Sequence, residues 1–246
     1  MLLIFSVLSL NTPVFSETPV TARAKEYIEN IPVKVVKKIP LPKGYHEGLF
    51  FDGVNIWVCN GRGGKVWIVD PASGAVISGI EPLGPFAEGI TNSGDGIFWL
   101  TDWETKKLYR FRIEDNGMKA EHEVSFDPAH PAGVAWTGEA LYVITWTRSV
   151  TGTKYHLIKL DGNGVILSGT VIKGIYEPAH LAWDGKHLWI TSWYSSIVYR
   201  ADIDNLKITG TFKSPADQAT GITWDGKYLW ITGTSAALYQ IEIEKK

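Results

Sequence analysis

The sequence is poor in the residues that build several common kinds of site. Cys59 is the single cysteine in 246 residues, which excludes an intrachain disulfide and a cluster of thiolate metal ligands. Neither sign of charge is in excess, since 24 Lys and Arg stand against 26 Asp and Glu. The chain therefore lacks the basic surface typical of nucleic-acid-binding proteins. We expect no nucleic-acid partner and interpret Cys59 as a small buried side chain on a strand.

Motifs for phosphate binding and for hydrolysis are missing as well. The sequence has no serine at a nucleophile elbow and no paired-histidine metalloprotease motif. The glycine-rich segment 61–64 lies between predicted strands without a following helix. Such a segment does not favour a phosphate-binding loop.

A long apolar run occurs at the N-terminus. Residues 1–10 read MLLIFSVLSL, which has the length of a signal-peptide core and is too short to span a bilayer comfortably. No Lys or Arg precedes this run, unlike in most signal peptides. We predict a signal peptide over residues 1–16, a mobile or short helical lead-in over residues 17–31, and an extracytoplasmic (periplasmic or secreted) mature protein without a membrane span.

One short phrase recurs five times and predicts the fold. Its copies read GLFFDG, GITNS, GVAWTG, LAWDG and GITWDG. Equivalent positions are 41, 44, 47 and 41 residues apart, and we call these positions the repeat marks: Gly48, Gly89, Gly133, His180 and Gly221. Such spacings are typical of a four-stranded propeller blade. The sequence predicts a single all-β domain over residues 32–246, a five-bladed β-propeller.

Each repeat has the same succession of strands and turns. Asp-Gly pairs, or Thr137-Gly138 in the third repeat, supply the positive-φ residues of a tight hairpin. Every second strand carries a large aromatic residue at the same position, which we interpret as core: Trp57, Trp99, Tyr142, Trp189 and Trp230. The fifth repeat stops after three strands, while Val33–Leu41 has the character of a fourth. We predict 20 strands, with this N-terminal strand completing the last blade.

Two columns of the repeat alignment lie at one mouth of the predicted central channel, where propeller loops form binding sites. One column precedes the repeat marks: Glu47, Glu88, Ala132, Ala179 and Thr220. The other follows the second strands: Gly61, Trp103, Trp146, Trp193 and Thr234. Two carboxylates among three tryptophans predict an aromatic, acidic pocket in which crowding raises a glutamate pKa and suits it to proton transfer. Alternatively, the glutamates accept hydrogen bonds from strand-end amides and the tryptophans only cap the core.

Three histidines also lie beside first strands, namely His46, His130 and His180. Three imidazoles and two carboxylates are potential ligands for Zn²⁺. No pair of them has the sequence spacing of metal ligands, so we expect neither a metal nor another cofactor.

The repeats resemble the plant and bacterial glutaminyl-peptide cyclotransferases, through the segments Tyr45–Gly53, Lys65–Gly74 and Phe86–Thr91. The resemblance covers nearly all of residues 33–246. It implies a five-bladed propeller that cyclises an N-terminal glutamine to pyroglutamate and releases ammonia. It also implies a pore glutamate that moves a proton from the α-amine to the leaving amide, a lysine and an asparagine that stabilise the amide and its oxyanion, and tryptophans that line the pocket.

The site positions of that family are matched in part. Glu88 matches the catalytic glutamate, while Trp103 and Trp193 match two pocket tryptophans. Elsewhere the family residues are replaced, a glutamine by Glu47, a tryptophan by Ala132, the asparagine by Ala179 and the lysine by Thr234.

Loss of the lysine matters most, because removing one oxyanion stabiliser costs on the order of a hundredfold or more in rate. We expect Trp146 to refill the space left at Ala132. We expect His180 to supply a donor in place of the asparagine.

Two functions remain open from the sequence. One is a divergent cyclotransferase, an aminoacyltransferase-type enzyme with Glu88 as acid and base. The other is a non-catalytic binding propeller, which accounts for the presence of Glu88 and the tryptophans without the lysine and asparagine. A lyase of the streptogramin-degrading family shares the Gly-Ile-Thr and Leu-Trp phrases, but its seven blades disagree with five repeats. In the two open readings the partner is a small molecule or a peptide N-terminus, and we expect a monomer.

Overall fold

The computed structural model describes residues 28–115 and 117–244. The predicted signal peptide and residues 17–27 of the predicted lead-in lie outside the described residues. The described residues form 22 strands and no helix. Over this part of the chain, no helix has the length and apolar character needed to cross a membrane.

The strands form five sheets that are arranged as the blades of a propeller. Two strands precede the blades, β1 (Glu29–Asn30) and β2 (Val33–Pro40). The first blade and its loop contain β3 (Leu49–Phe51), β4 (Ile56–Val58), β5 (Gly61–Arg62), β6 (Val66–Val69) and β7 (Val76–Ile80). The second contains β8 (Phe86–Asn92), β9 (Phe98–Asp102), β10 (Lys107–Glu114) and β11 (Gly117–Ser125).

The remaining three blades follow in chain order. The third contains β12 (His130–Trp136), β13 (Leu141–Ser149), β14 (Gly152–Leu160) and β15 (Ile166–Val171). The fourth contains β16 (Pro178–Trp183), β17 (Leu188–Ser192), β18 (Ile197–Ala201) and β19 (Ile208–Lys213). The fifth contains β20 (Ala219–Trp224), β21 (Leu229–Gly233) and β22 (Ala237–Ile243). Five blades confirm the predicted fold class.

The N-terminal strand β2 closes the ring. It pairs antiparallel with β22 from Val33↔Ile243 to Pro40↔Ala237 and completes the fifth blade. Ile39 is 2% exposed and packs in one cluster with Leu238. This pairing confirms the predicted closure and covers two strand edges that would otherwise expose unpaired backbone groups.

Two short strands raise the count above the predicted 20. β5 leaves the first blade and pairs with β8 of the second. β1 runs parallel to β19 at the outer edge of the fourth blade, where Glu29 pairs with Arg200 at 2.8 Å. The end of the lead-in is therefore a strand and not a mobile or helical segment, because the open edge of β19 supplies backbone hydrogen-bond partners.

The aromatic residues of the second strands are core, as predicted, and all five are buried. All four indoles among them also donate to the hairpin before them, that of Trp99 to the Ser93 hydroxyl at 3.0 Å. The indole nitrogens of Trp57, Trp189 and Trp230 donate to the turn aspartates Asp52, Asp184 and Asp225 at 2.7, 2.8 and 2.6 Å. One side chain thus fixes the turn and satisfies a partly buried donor of the core.

Four of the five repeat marks are glycines because the first strands meet at the axis. A Cβ at Gly133 would collide with the backbone of His180 and with the carbonyl of Ala179, and one at Gly221 would collide with the carbonyl of Glu47. The fourth blade departs from the pattern with His180, whose imidazole fills the axial space beside Gly48.

Candidate functional site

A β-bulge beside each of four repeat marks positions the column that contains Glu88. The pairing of the first two strands shifts register between Ala87 and Gly89, and it shifts at the equivalent place in the third, fourth and fifth blades. A bulge leaves one residue without a ladder partner and re-aims its side chain. In the second blade that residue is Glu88.

The structure brings five of the predicted site residues together around one cavity. The cavity has a volume of about 250 Å³ and lies at the mouth of the channel. Its walls comprise the predicted Glu47, Glu88, Trp103, Trp146 and Trp193, together with Tyr45, Phe86, Arg148, Glu177 and Ala179. Such a volume suits one or two amino-acid residues of a ligand and not a folded partner.

The aromatic wall is held in place by polar contacts. Trp103 and Trp146 meet edge to face, with ring centroids 5.4 Å apart at 81°. The indole nitrogen of Trp146 donates to the carbonyl of Pro178 at 2.8 Å. His130 stacks on Trp103 at 4.6 Å and its Nδ1 donates to the Trp103 carbonyl at 2.9 Å. These contacts fix the rings before a ligand arrives.

The two pocket carboxyl groups lie in an environment that favours their neutral forms. Burial, and secondly the charge of Asp102, raise the pKa of Glu88 to about 8. Burial and the charge of Glu88 raise the pKa of Glu47 well above its usual range. Asp102 is itself buried and accepts hydrogen bonds from the backbone of Phe86 at 2.6 Å and of Thr105 at 2.8 Å. A carboxyl group that titrates near pH 8 can both give and take a proton under physiological conditions.

His180 does not lie on the cavity wall, although its neighbour Ala179 does. Its imidazole is buried at the axis, where Nδ1 donates to the carbonyl of Ile222 at 3.1 Å. Burial lowers the pKa of His180 to about 4. The glycine marks leave space at the axis, and the residue at the same position of the fourth blade is directed into that space and away from the mouth.

The other histidines make structural contacts. His46 bonds through Nδ1 to the Asn60 side chain at 2.7 Å and through Nε2 to the Pro42 carbonyl at 3.0 Å. In the described part of the chain, no three His, Cys, Asp or Glu side chains are grouped so as to hold a metal ion. Cys59 is buried beside the two glutamates, and burial raises the pKa of its thiol well above the usual value. This agrees with its interpretation as a small buried side chain.

Four wall residues were not identified from the sequence: Tyr45, Phe86, Arg148 and Glu177. Tyr45, Phe86 and Glu177 each precede a residue of the first column by two positions, at or just before the start of a first strand, and they share no residue type that would mark a site. The sequence does contain one indication of Arg148. The third repeat spacing, 47 residues, is the longest of the four, and it reflects a longer β13–β14 hairpin. Thr234, at the family lysine position, is exposed outside the cavity wall, and its hydroxyl donates to the Asp217 carbonyl at 3.1 Å.

Comparison with solved structures finds propeller enzymes of different activities. The crystal structure of Myxococcus xanthus glutaminyl cyclase matches with a TM-score of 0.71 and 15% identity, over 89% of this chain and 100% of that chain. The PQQ-bound aldose sugar dehydrogenase of Streptomyces coelicolor matches with a TM-score of 0.55 and 12% identity, over 87% and 98%. The virginiamycin B lyase of Staphylococcus aureus matches with a TM-score of 0.54 and 14% identity, over 87% and 100%.

No protein-family model and no curated protein sequence matches the chain. At identities of 12–15% the structural likeness establishes the β-propeller fold alone.

Proposed function

We propose that the cavity binds the N-terminal residue of a peptide and that Glu88 cyclises an N-terminal glutamine to pyroglutamate. The observation that carries the proposal is a half-buried carboxyl group with a pKa of about 8 on the wall of an aromatic cavity. The likeness to glutaminyl cyclase adds support at the level of the fold.

The reaction requires one proton to be moved between two nitrogen atoms. The α-amine attacks the side-chain carbonyl carbon of the glutamine, a C–N bond forms, and the bond to the amide nitrogen breaks. In its ionised form Glu88 takes the proton from the attacking amine and then gives it to the leaving nitrogen, which departs as ammonia. Atoms balance without water or a cofactor.

The rest of the wall favours an amine in this place. Indole rings attract an ammonium group through their faces, and Trp103, Trp146 and Trp193 line the cavity. Burial raises the pKa of both pocket glutamates and so favours their protonated forms until the ligand amine supplies charge. The ring contacts described above hold the wall rigid, which reduces the entropy lost on binding.

A second function is favoured by a specific observation. The cavity wall has Ala179 where the resembling family has asparagine, and Thr234, at the lysine position, lies outside the wall. A pocket that keeps the aromatic and acidic groups but lacks these oxyanion donors suits amine binding without turnover.

Incubation with a short glutamine-initiated peptide separates the two functions. The proposal predicts ammonia release with the matching mass loss, and Glu88→Gln is expected to reduce the rate by about a hundredfold or more, the usual range for a general acid–base group. The matched control Glu104→Gln removes a carboxylate outside the cavity wall and is expected to keep full rate. Binding of the peptide without any ammonia release would leave the binding function and exclude the cyclase.

A further inference from the structure

Arg148 differs from the other arginines that the structure describes. Each of the other four forms an ion pair with a glutamate: Arg62, Arg110, Arg112 and Arg200. Arg148 forms none within the described residues and lies against the face of Trp103, with its guanidinium carbon 5.5 Å from the ring centroid. A guanidinium has five donors in a planar fork and does not lose its charge. On the wall of a cavity, such a group is available to an anion of the ligand.

The position of Arg148 is built by an unusually long hairpin. β13 and β14 have nine residues each, while the second strands of the other blades have three to five. Their pairing continues past Trp146↔Tyr155 to Arg148↔Thr153 and Ser149↔Gly152. The backbone of Arg148 is therefore held in a ladder, and Trp103 orients the side chain from the neighbouring blade.

The carboxyl groups of the cavity do not neutralise this charge. Burial raises the pKa of both Glu47 and Glu88, that of Glu88 to about 8, which favours their neutral forms. Glu177 is the third carboxyl group on the wall, and its Oε2 is buried without a hydrogen-bond partner among the described residues, Arg148 included. A ligand that enters therefore meets an unpaired guanidinium close to the group that receives its amine.

We propose that Arg148 binds a carboxylate of the ligand, so that the preferred substrate is a peptide with a carboxylate one or two residues after its N-terminal residue. The carboxylate can come from an aspartate or glutamate side chain or from the C-terminus of a very short peptide. This proposal rests on the proposed function and names its substrate class. The short spacing follows from the cavity, because Arg148 and Glu88 line the same volume of about 250 Å³ and one residue spans at most about 3.5 Å.

Calorimetric binding of matched peptides tests the proposal in the Glu88→Gln protein, where turnover is suppressed. The probes are C-terminally amidated peptides that begin Gln-Glu or Gln-Gln, and the dipeptide Gln-Ala with a free or an amidated C-terminus. We expect the carboxylate of each pair to tighten binding by about fivefold at low salt, as for a partly exposed charge-assisted contact. The preference should shrink as salt screens the pair.

Two variants assign the preference to Arg148. Arg148→Gln should abolish it, whereas Arg112→Gln, which removes a surface arginine of strand β10, should leave it intact. Preference for only one of the two probe pairs would identify the source of the carboxylate.

The possible results separate this inference from the proposed function. Turnover of glutamine peptides without a carboxylate preference overturns the role of Arg148 alone. A preference without ammonia release supports Arg148 and removes the cyclase. Arg148→Gln that slows turnover of all the peptides equally would place the guanidinium at the reacting amide and overturn the inference, as would failure of every probe to bind.

Discussion

Glu88 is half-buried, and its side chain has no hydrogen-bond or ion-pair partner among the residues that the structure describes. Its backbone carbonyl accepts a hydrogen bond from Gly48 at 2.8 Å, which anchors the main chain at the bulge, while the side chain lies on the cavity wall. Desolvation penalises the ionised form, and the buried charge of Asp102 adds to the penalty. A residue that only stabilised the fold would be expected to have its charge compensated.

The same environment means that ionisation of Glu88 lowers the stability of the folded protein. Its pKa in the folded protein, about 8, lies above the ordinary 4.5, so the folded state retains the proton that the unfolded state has lost. The contribution of Glu88 to stability is therefore greatest at a pH below its ordinary pKa, and it falls as the pH rises to about 8. The lowered pKa of His180, about 4 against 6.5, acts in the opposite direction and only below pH 6.5.

Glu88→Gln should remove the pH dependence that Glu88 causes. Between pH 6.5 and 8 the wild type should lose up to about 2 kcal/mol of unfolding free energy, since each pH unit is worth about 1.4 kcal/mol per proton. The variant should lose less, because it lacks this ionisable group. Urea titrations at several pH values measure this, and parallel slopes in the two proteins would contradict the assigned pKa.

The first strands are the elements that shape the cavity. Their glycine marks allow close approach at the axis, and their bulges aim the preceding residue at the mouth. The β13–β14 hairpin adds the outer wall by extending past the blade with Trp146 and Arg148. The site is thus formed by a β-bulge that recurs in the first strands and by one lengthened hairpin, on an otherwise regular propeller.

Gly133→Ala tests the close approach of the first strands. The added Cβ meets the backbone of His180 and Ala179, which cannot move as a flexible side chain would. We expect a loss of about 1–3 kcal/mol of stability, the usual cost of overpacking. The control Gly117→Ala, on the outer strand β11, meets nothing nearer than the Glu114 carbonyl at 3.6 Å and should have little effect. Equal stability of the two variants in thermal unfolding would contradict steric closure of the axis.

At the scale of the whole molecule, the ring and its closure were predictable from the sequence because both rest on local patterns that repeat. The number of blades follows from the repeated hairpin turns and from the buried aromatic residue of each second strand. The closure follows because strand Val33–Pro40 precedes the first repeat and the fifth blade has an open edge at β22 with which it pairs. The edge strand Glu29–Asn30 was not predictable, since two residues carry no periodicity.

The site was predictable where it follows the repeat columns and not elsewhere. Glu47, Glu88 and the three tryptophans occupy aligned positions at one mouth, so symmetry alone brings them together. Arg148 reaches the cavity from the extended end of the β13–β14 hairpin, which has no equivalent in the other blades. Tyr45, Phe86 and Glu177 do occupy equivalent positions, but an aromatic residue in two blades and a carboxylate in the third share no residue type that would mark a site. The orientation of His180 depends on the space that glycines of other blades leave at the axis, which no single repeat reveals.

The pH dependence of turnover measures most directly whether Glu88 carries the proton. The measurement is kcat/KM for a glutamine-initiated peptide as a function of pH, with ionisation of the free peptide amine determined separately and factored out. We expect the rate to rise with pH as the Glu88 carboxylate forms, with an apparent pKa near the value of about 8. Glu88→Gln should lose both the rate and this dependence. A profile without ionisation in this range, or a Glu88→Gln protein as fast as the wild type, would contradict it.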